Sequence, residues 1–151
     1  MKTTLPSTSR SLPIALLRAR ERVMGPIRAM LSDVGITEQQ WRVLRVLQEA
    51  GPLEPTQIAD KACLLLPSLT RILQKLEEKQ YIERHRNKAD KRKQSVSVTR
   101  AGADLIRANL PSAMVLSDKV RARMGVERYD QLLDLLNELN ELDTSGDKDI
   151  S

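Results

Sequence analysis

Two adjoining stretches decide the fold, PTQIADKACLLLPSLTRILQKL (Pro55–Leu76) and YIERHRNKADKRKQSVSVT (Tyr81–Thr99). In the first, Pro55 opens a short helix that reaches about Ala62, because proline's fixed φ suits a first helical turn, where its missing N–H has no partner to lose. A tight connection, Cys63 to Leu66, leads to a second helix with Pro67 in its opening turn. There Leu69, Ile72, Leu73 and Leu76 fall at i, i+3, i+4 and i+7, an apolar stripe. Ser68, Arg71, Gln74 and Lys75 lie largely off it, which leaves one face polar and basic. In the second stretch, strict alternation over Ser95–Thr99 predicts a strand, Tyr81–Arg86 predicts its partner, and Asn87–Gln94 is a charged hairpin loop. Two short helices with a tight turn, followed at once by a basic two-stranded hairpin, make a winged helix-turn-helix.

Working outward, Thr37-Glu-Gln-Gln40 is a capping box that opens a helix, with Trp41, Val43, Leu44 and Leu47 on its buried face and Gly51-Pro52 as its stop. Upstream, residues 1–10 are Ser/Thr/Pro-rich and predict a flexible arm. Ser11 is placed to cap a first helix, with Pro13 in its opening turn. Leu16, Leu17, Val23, Met24, Ile27, Met30, Leu31 and Val34 form a helical stripe, which Gly25-Pro26 should kink or break. Downstream, Thr99 caps a long helix through Leu105, Ile106, Leu116 and Val120, with Pro111 as a bend. A last helix starts near Val126 and carries Leu132, Leu133, Leu135, Leu136, Leu139 and Leu142. Residues 144–151 read as a frayed tail. The fold class is therefore mainly α with a small β-hairpin wing.

Composition narrows the function. The 151 residues are 40% hydrophobic and 30% charged, enough for a core. No apolar run approaches the roughly 20 residues of a membrane span, and the N-terminus has no secretory signal, so a cytoplasmic protein is expected. One Cys and one His cannot build a structural zinc site, and no metal or cofactor is expected. No Gly-rich phosphate loop and no nucleophile–base pair appears, which argues against an enzyme. Three aromatic residues, Trp41, Tyr81 and Tyr129, cannot make a stacking platform for single strands. Net charge is +5, and the window Arg84–Lys93 alone, with six bases against Asp90, carries as much. From Glu127 onward eight acids face two bases. Such a concentrated basic patch faces a polyanion.

The helix and the hairpin supply the contacts. Ser68, Thr70 and Arg71, near the helix N-terminus, are the candidates for base edges. Gln74 and Lys75 reach edges or phosphate. Arg71 suits a guanine, because its fork matches O6 and N7. On the hairpin, Arg92 is placed to enter a minor groove, with Asp90 to orient it. Arg86, Lys88, Lys91 and Lys93 would track phosphates. His85 reads as a phosphate neighbour rather than a metal ligand.

These motifs resemble the multiple-antibiotic-resistance regulator (MarR) family of winged-helix repressors over about residues 12–142. The resemblance rests on Thr37-Glu-Gln-Gln-Trp-Arg42, Pro67-Ser-Leu-Thr-Arg-Ile-Leu73, the wing Asp90-Lys-Arg-Lys93 and Val98-Thr-Arg-Ala-Gly102. Within the family, Ser11–Leu17, Ala19-Arg-Glu21 and Ala62–Thr70 are similar to repressors of homoprotocatechuate (4-hydroxyphenylacetate) degradation operons. The family pattern implies Pro67, Ser68, Thr70 and Arg71 at the groove and Arg92 in the wing. It also implies a homodimer on a palindromic operator in double-stranded DNA. Residues 37–102 would then form the winged DNA-binding region and residues 11–36 and 103–143 the dimerisation helices. The effector implied is a small aromatic acid such as 4-hydroxyphenylacetate or 3,4-dihydroxyphenylacetate. Candidates for its site are Arg20 and Arg42 on a carboxylate, Trp41 as an apolar wall and Ser11 as a polar contact, although Trp41 also reads as plain core. The chain would be a ligand-responsive repressor. Two alternatives stand beside it, oxidant sensing through Cys63 and a winged module for protein or RNA. Lying among apolar residues, Cys63 is expected to be buried and inert.

Overall fold

The computed structural model describes residues 4–90 and 92–142. Lys91, expected on a phosphate, and the tail expected to fray, 144–151, lie outside the described residues. Helices α1 (Leu12–Ser32), α2 (Glu38–Ala50), α3 (Pro55–Ala62) and α4 (Leu66–Glu78) precede strands β1 (Ile82–Arg86) and β2 (Gln94–Val98), and α5 (Arg100–Met124) and α6 (Val126–Glu141) follow. The chain divides into two compact units, Met1–Ala113 and Met114–Ser151. Among the described residues, no helix is long and apolar enough to cross a membrane.

The first unit holds a continuous core. Leu31 of α1 joins Val43, Leu44 and Leu47 of α2, Ile58 and Ala62 of α3, Leu69, Leu73 and Leu76 of α4, Ile82 of β1, Val96 of β2 and Ile106 of α5. Burying a leucine fully stabilises by roughly 1.5–3 kcal/mol, so the α4 stripe alone is a large share of what holds the helix pair. Helix α2 begins at the expected capping box, with Gln40 N donating to Thr37 Oγ1 and Thr37 N donating to Gln40 Oε1, both at 3.1 Å. It ends at Gly51, whose φ of 79° only glycine adopts without strain. Antiparallel β1 and β2 pair Ile82 with Val98 and Arg86 with Gln94. Leu53, between α2 and α3, bonds Val96 in both directions at 3.0 and 2.8 Å. The wing base is thus tied to the helices by a third short segment.

Helix α5 is riveted to the wing base. Thr99 N donates to Tyr81 O, Thr99 Oγ1 donates to Gln80 O at 2.7 Å, and Gly102 N donates to Thr99 Oγ1 at 3.1 Å. Gly102 is required by space. A Cβ there would stand 2.3 Å from Tyr81 O and 2.7 Å from Val98 Cγ2.

Several expectations are corrected. Gly25-Pro26 does not break α1, which runs unbroken through Pro26. Proline removes one donor and leaves the carbonyl four residues back without its partner, a loss that packing around Ile27, Met30 and Leu31 outweighs. Pro111 lies inside α5, as the long helix expected there requires. Ser11 occupies the N-cap position of α1, but its side chain makes no capping bond. Residues 8–10, expected in the arm, form one 3-10 turn with Ser7 Oγ accepting from Ser9 N at 3.3 Å. Leu66 is already helical, so the α3–α4 connection is Cys63–Leu65. The strands also sit one residue from the expected limits, leaving Tyr81 and Thr99 outside the ladder and Gln94 inside it.

Cys63 is exposed, not buried. It caps α3 in the left-handed region, with φ 55° and ψ 51°. The flanking Ala62 takes the buried place instead, at 0% exposure.

In the second unit, none of the described residues is buried. Leu132, Leu133, Leu135, Leu136 and Leu142 are all exposed. Gly125, with φ 91°, separates α5 from α6.

Candidate functional site

Helix α4 is amphipathic in the way its sequence dictates. Leu69, Leu73 and Leu76 are buried, while Pro67, Ser68, Thr70, Arg71, Gln74 and Lys75 are exposed. Thr70 Oγ1 donates to Leu66 O at 3.1 Å, which leaves its lone pairs and methyl group outward-available. Lys75 Nζ lies 3.8 Å from Glu78 Oε2, a loose pair on the same helix. Pro67, Ser68 and Arg71 line a depression of about 450 Å³ together with Leu64, Ile72 and Gln39. Gln39, from the first turn of α2, was not singled out in the sequence. The capping box that places Thr37 and Gln40 also fixes where Gln39 points, and that is the signal that could have found it.

The wing presents a second basic surface. Arg86, Lys88, Arg92 and Lys93 are exposed, and the Arg92 side chain is 96% exposed. Asp90 Oδ1 accepts from Arg92 N at 3.0 Å and stands 3.8 Å from Arg92 Nε. The aspartate therefore fixes the backbone beneath Arg92 more firmly than the guanidinium. Asn87 N donates to Lys93 O and Lys93 N to Asp90 O, both at 3.0 Å, closing the base of the loop. Arg86 and Lys93 share a shallow 270 Å³ depression with His85, Asn87 and Glu54. His85 Nε2 is 3.5 Å from Glu83 Oε2, on the exposed side of β1.

The four residues expected around an effector do not all meet. Arg20 of α1 donates to Glu38 Oε1 of α2 at 2.7 Å, so its charge is already matched. Trp41 and Arg42 follow Glu38 at i+3 and i+4 and so share its side of α2. Trp41 is 9% exposed and belongs to the core, and Arg42 is half-buried. Ser11 lies nine residues before Arg20, roughly 13 Å along a helix axis, away from that pair. Glu38, like Gln39, is a residue that sequence reasoning missed. Its side chain is 10% exposed, and Oε2 is buried with no hydrogen-bond partner. A buried acceptor left unmatched is unfavourable, and it is suited to a ligand's hydroxyl. Nearby on α1, Arg28 donates twice to Glu21. Those bonds hold the Glu21 carboxyl below its ordinary range and raise Arg28 above its own.

A two-stranded basic wing following a helix pair with an exposed polar helix is the architecture of winged-helix regulators, and comparison with known proteins agrees. The MarR family model matches residues 36–93. The chain is 36% identical over 140 residues to the homoprotocatechuate degradative operon repressor of Escherichia coli, covering 93% of this chain and 95% of that one. It is 35% identical to the HTH-type transcriptional regulator FarR of Neisseria gonorrhoeae, over 88% of this chain and 91% of that one. Among solved structures, NadR in complex with 4-hydroxyphenylacetate superposes with a TM-score of 0.82 at 34% identity, covering 93% of this chain and all of that one. The chain belongs to the MarR family of transcriptional regulators. Its relatives are regulators, not enzymes.

Proposed function

We propose that this chain is a cytoplasmic, homodimeric repressor of an aromatic-acid catabolic operon that binds a palindromic operator and is released by a small phenolic carboxylate. The observation that carries the reading is the exposed polar face of α4 beside an exposed basic wing. In this reading α4 enters the major groove, with Arg71 on a guanine and Ser68 and Thr70 at neighbouring edges. Pro67 sets the helix end against the backbone, and Gln74 and Lys75 reach edges or phosphate. Arg92 enters the minor groove, while Arg86, Lys88, Lys91 and Lys93 meet phosphates and Asp90 shapes the loop.

The dimer follows from the apolar side chains that the single chain leaves uncovered. Leu12, Leu16, Leu17 and Val23 on α1 and Leu132, Leu133, Leu135 and Leu136 on α6 are all exposed. A second copy covers them, and two-fold symmetry sets two recognition helices about 34–36 Å apart, one turn of DNA.

The effector site is built around Glu38, with Trp41 as its wall and Arg20 and Arg42 as polar contacts; Ser11, roughly 13 Å from Arg20 along α1, is not among them. The unmatched Glu38 oxygen favours an effector that carries a hydroxyl. Of the two candidate arginines, Arg20 is paired with Glu38 and Arg42 is the partner for the effector's carboxylate. That 4-hydroxyphenylacetate binds NadR supports this chemistry. The ligand shifts the protein off DNA only by binding the non-binding conformer more tightly.

The test is a titration of the duplex upstream of the gene for this chain, with and without 4-hydroxyphenylacetate, 3,4-dihydroxyphenylacetate and phenylacetate. Salt-sensitive binding released by the hydroxylated acids and less by phenylacetate is expected. Binding that none of the acids disturbs would remove the effector assignment, and absence of sequence-specific binding would remove the operator.

A further inference from the structure

We infer that Arg84 is a positioning residue for DNA binding, a strut between wing and recognition helix that is slack in the free protein and closes on DNA. The inference rests on the reading of α4 and the wing as the two DNA-contacting elements. It adds a residue that makes no contact with DNA itself.

Arg84 differs from every other base of the wing window that the structure describes. Along β1 the residues alternate, and Arg84 lies on the same face as Ile82, which is buried. Its ladder partner is Val96, at 0% exposure. The side chain thus lies beneath the wing, 24% exposed, while Arg86, Lys88, Arg92 and Lys93 are exposed. Its Nε stands 3.6 Å from Glu77 Oε2 of α4. That distance is an ion pair but too long for a hydrogen bond, and Nε is buried with no partner.

Glu77 follows the exposed Thr70 and Gln74 at i+7 and i+3 and the buried Leu73 at i+4, so it stands at the edge of the α4 face assigned to DNA, where that face meets the wing. An acid there repels phosphates unless a cation neutralises it. Arg84 supplies that cation from the wing side, and so joins the two elements that must engage adjacent grooves together. A buried donor without an acceptor is an unfavourable state that a few tenths of an ångström of wing movement would remove. Phosphates drawing the wing towards the duplex supply the force. The pair therefore does little for the isolated fold and contributes once the wing is seated.

A double-mutant cycle with Arg84→Met and Glu77→Gln tests this, since methionine keeps the apolar stem. Affinity for the upstream duplex and for a random duplex of equal length is measured for all four proteins, together with thermal unfolding without DNA. The expected result is a coupling factor of about five or more in upstream-duplex affinity with additive effects on unfolding. Hydroxyl-radical protection at the minor-groove positions of the wing should weaken in Arg84→Met while protection under α4 persists. Additive effects on affinity in proteins that bind, or coupling confined to unfolding, would overturn the strut. Failure of the unaltered chain to prefer the upstream duplex would instead overturn the underlying DNA reading, and the strut with it.

Discussion

Helices α1 and α4 carry equally legible apolar stripes, yet the structure treats them in opposite ways. In α4 the stripe is sealed, with Leu69, Leu73 and Leu76 at 2% exposure or less. In α1 only Leu31, near its C-terminal end, is buried, while Leu12 and Leu17 are 55% and 64% exposed. A stripe records that a face needs apolar company but not where the company comes from. For α4 it comes from α2, α3 and the wing; for α1 the described chain supplies it only over the last turns.

The most damaging way to exploit that difference is Leu17→Asp. If a second copy covers α1, two charges per dimer lose water, and association should weaken by about a thousandfold, ~4 kcal/mol. Sedimentation would show monomers whose helix content is unchanged. Leu73→Ala attacks the sealed stripe and should cost about 2–5 kcal/mol in denaturant unfolding, because a cavity opens inside the first unit. If Leu17→Asp unfolded the chain as Leu73→Ala does, the two stripes would not differ as described.

Gly102→Ala should be felt next, at about 1–3 kcal/mol, since a Cβ cannot fit against the Tyr81 carbonyl without moving α5 from the wing base. On the DNA side, Arg71→Ala should lose about 1–3 kcal/mol on the operator and relax base preference at one position. Lys93→Ala should weaken all duplexes alike and lower the salt slope by about one. Identical behaviour on operator and random duplexes would contradict the division between reader and phosphate contact. Smallest of all is Glu21→Gln on exposed α1, which should leave unfolding at neutral pH within scatter. Because the Glu21 carboxyl is held below its ordinary range by Arg28, whatever it contributes is present at neutral pH and fades as acid protonates it. Unfolding curves of the two proteins should therefore stay within scatter of one another from pH 7 downward, and a gap that opened in acid would contradict this.

What could be read from the sequence was what short-range chemistry fixes. The Thr37–Gln40 capping box, the stripe of α4, the strand over Ser95–Val98 and the Thr99 cap all depend on residues within a turn of one another, and all stand in the structure. What could not be read depends on distant neighbours. The penalty at Pro26 is local, but the packing that overrides it comes from Leu31 and its core partners. Arg20 looked available because Glu38 is eighteen residues away in sequence, and only folding brings them to 2.7 Å. Arg84 looked like one more wing cation, since period-two alternation alone does not say which face of a short strand meets the core.

Cys63 offers a consequence of a practical kind. It is exposed and stands in the turn between α3 and α4, three residues before α4 begins. The protein contains no other thiol. A maleimide dye will therefore attach at one defined place without any engineering, beside the helix proposed to enter the groove. In a dimer the two dyes would form a symmetric pair, so the separation of the two reading heads becomes a distance that energy transfer can follow as DNA and acid are added.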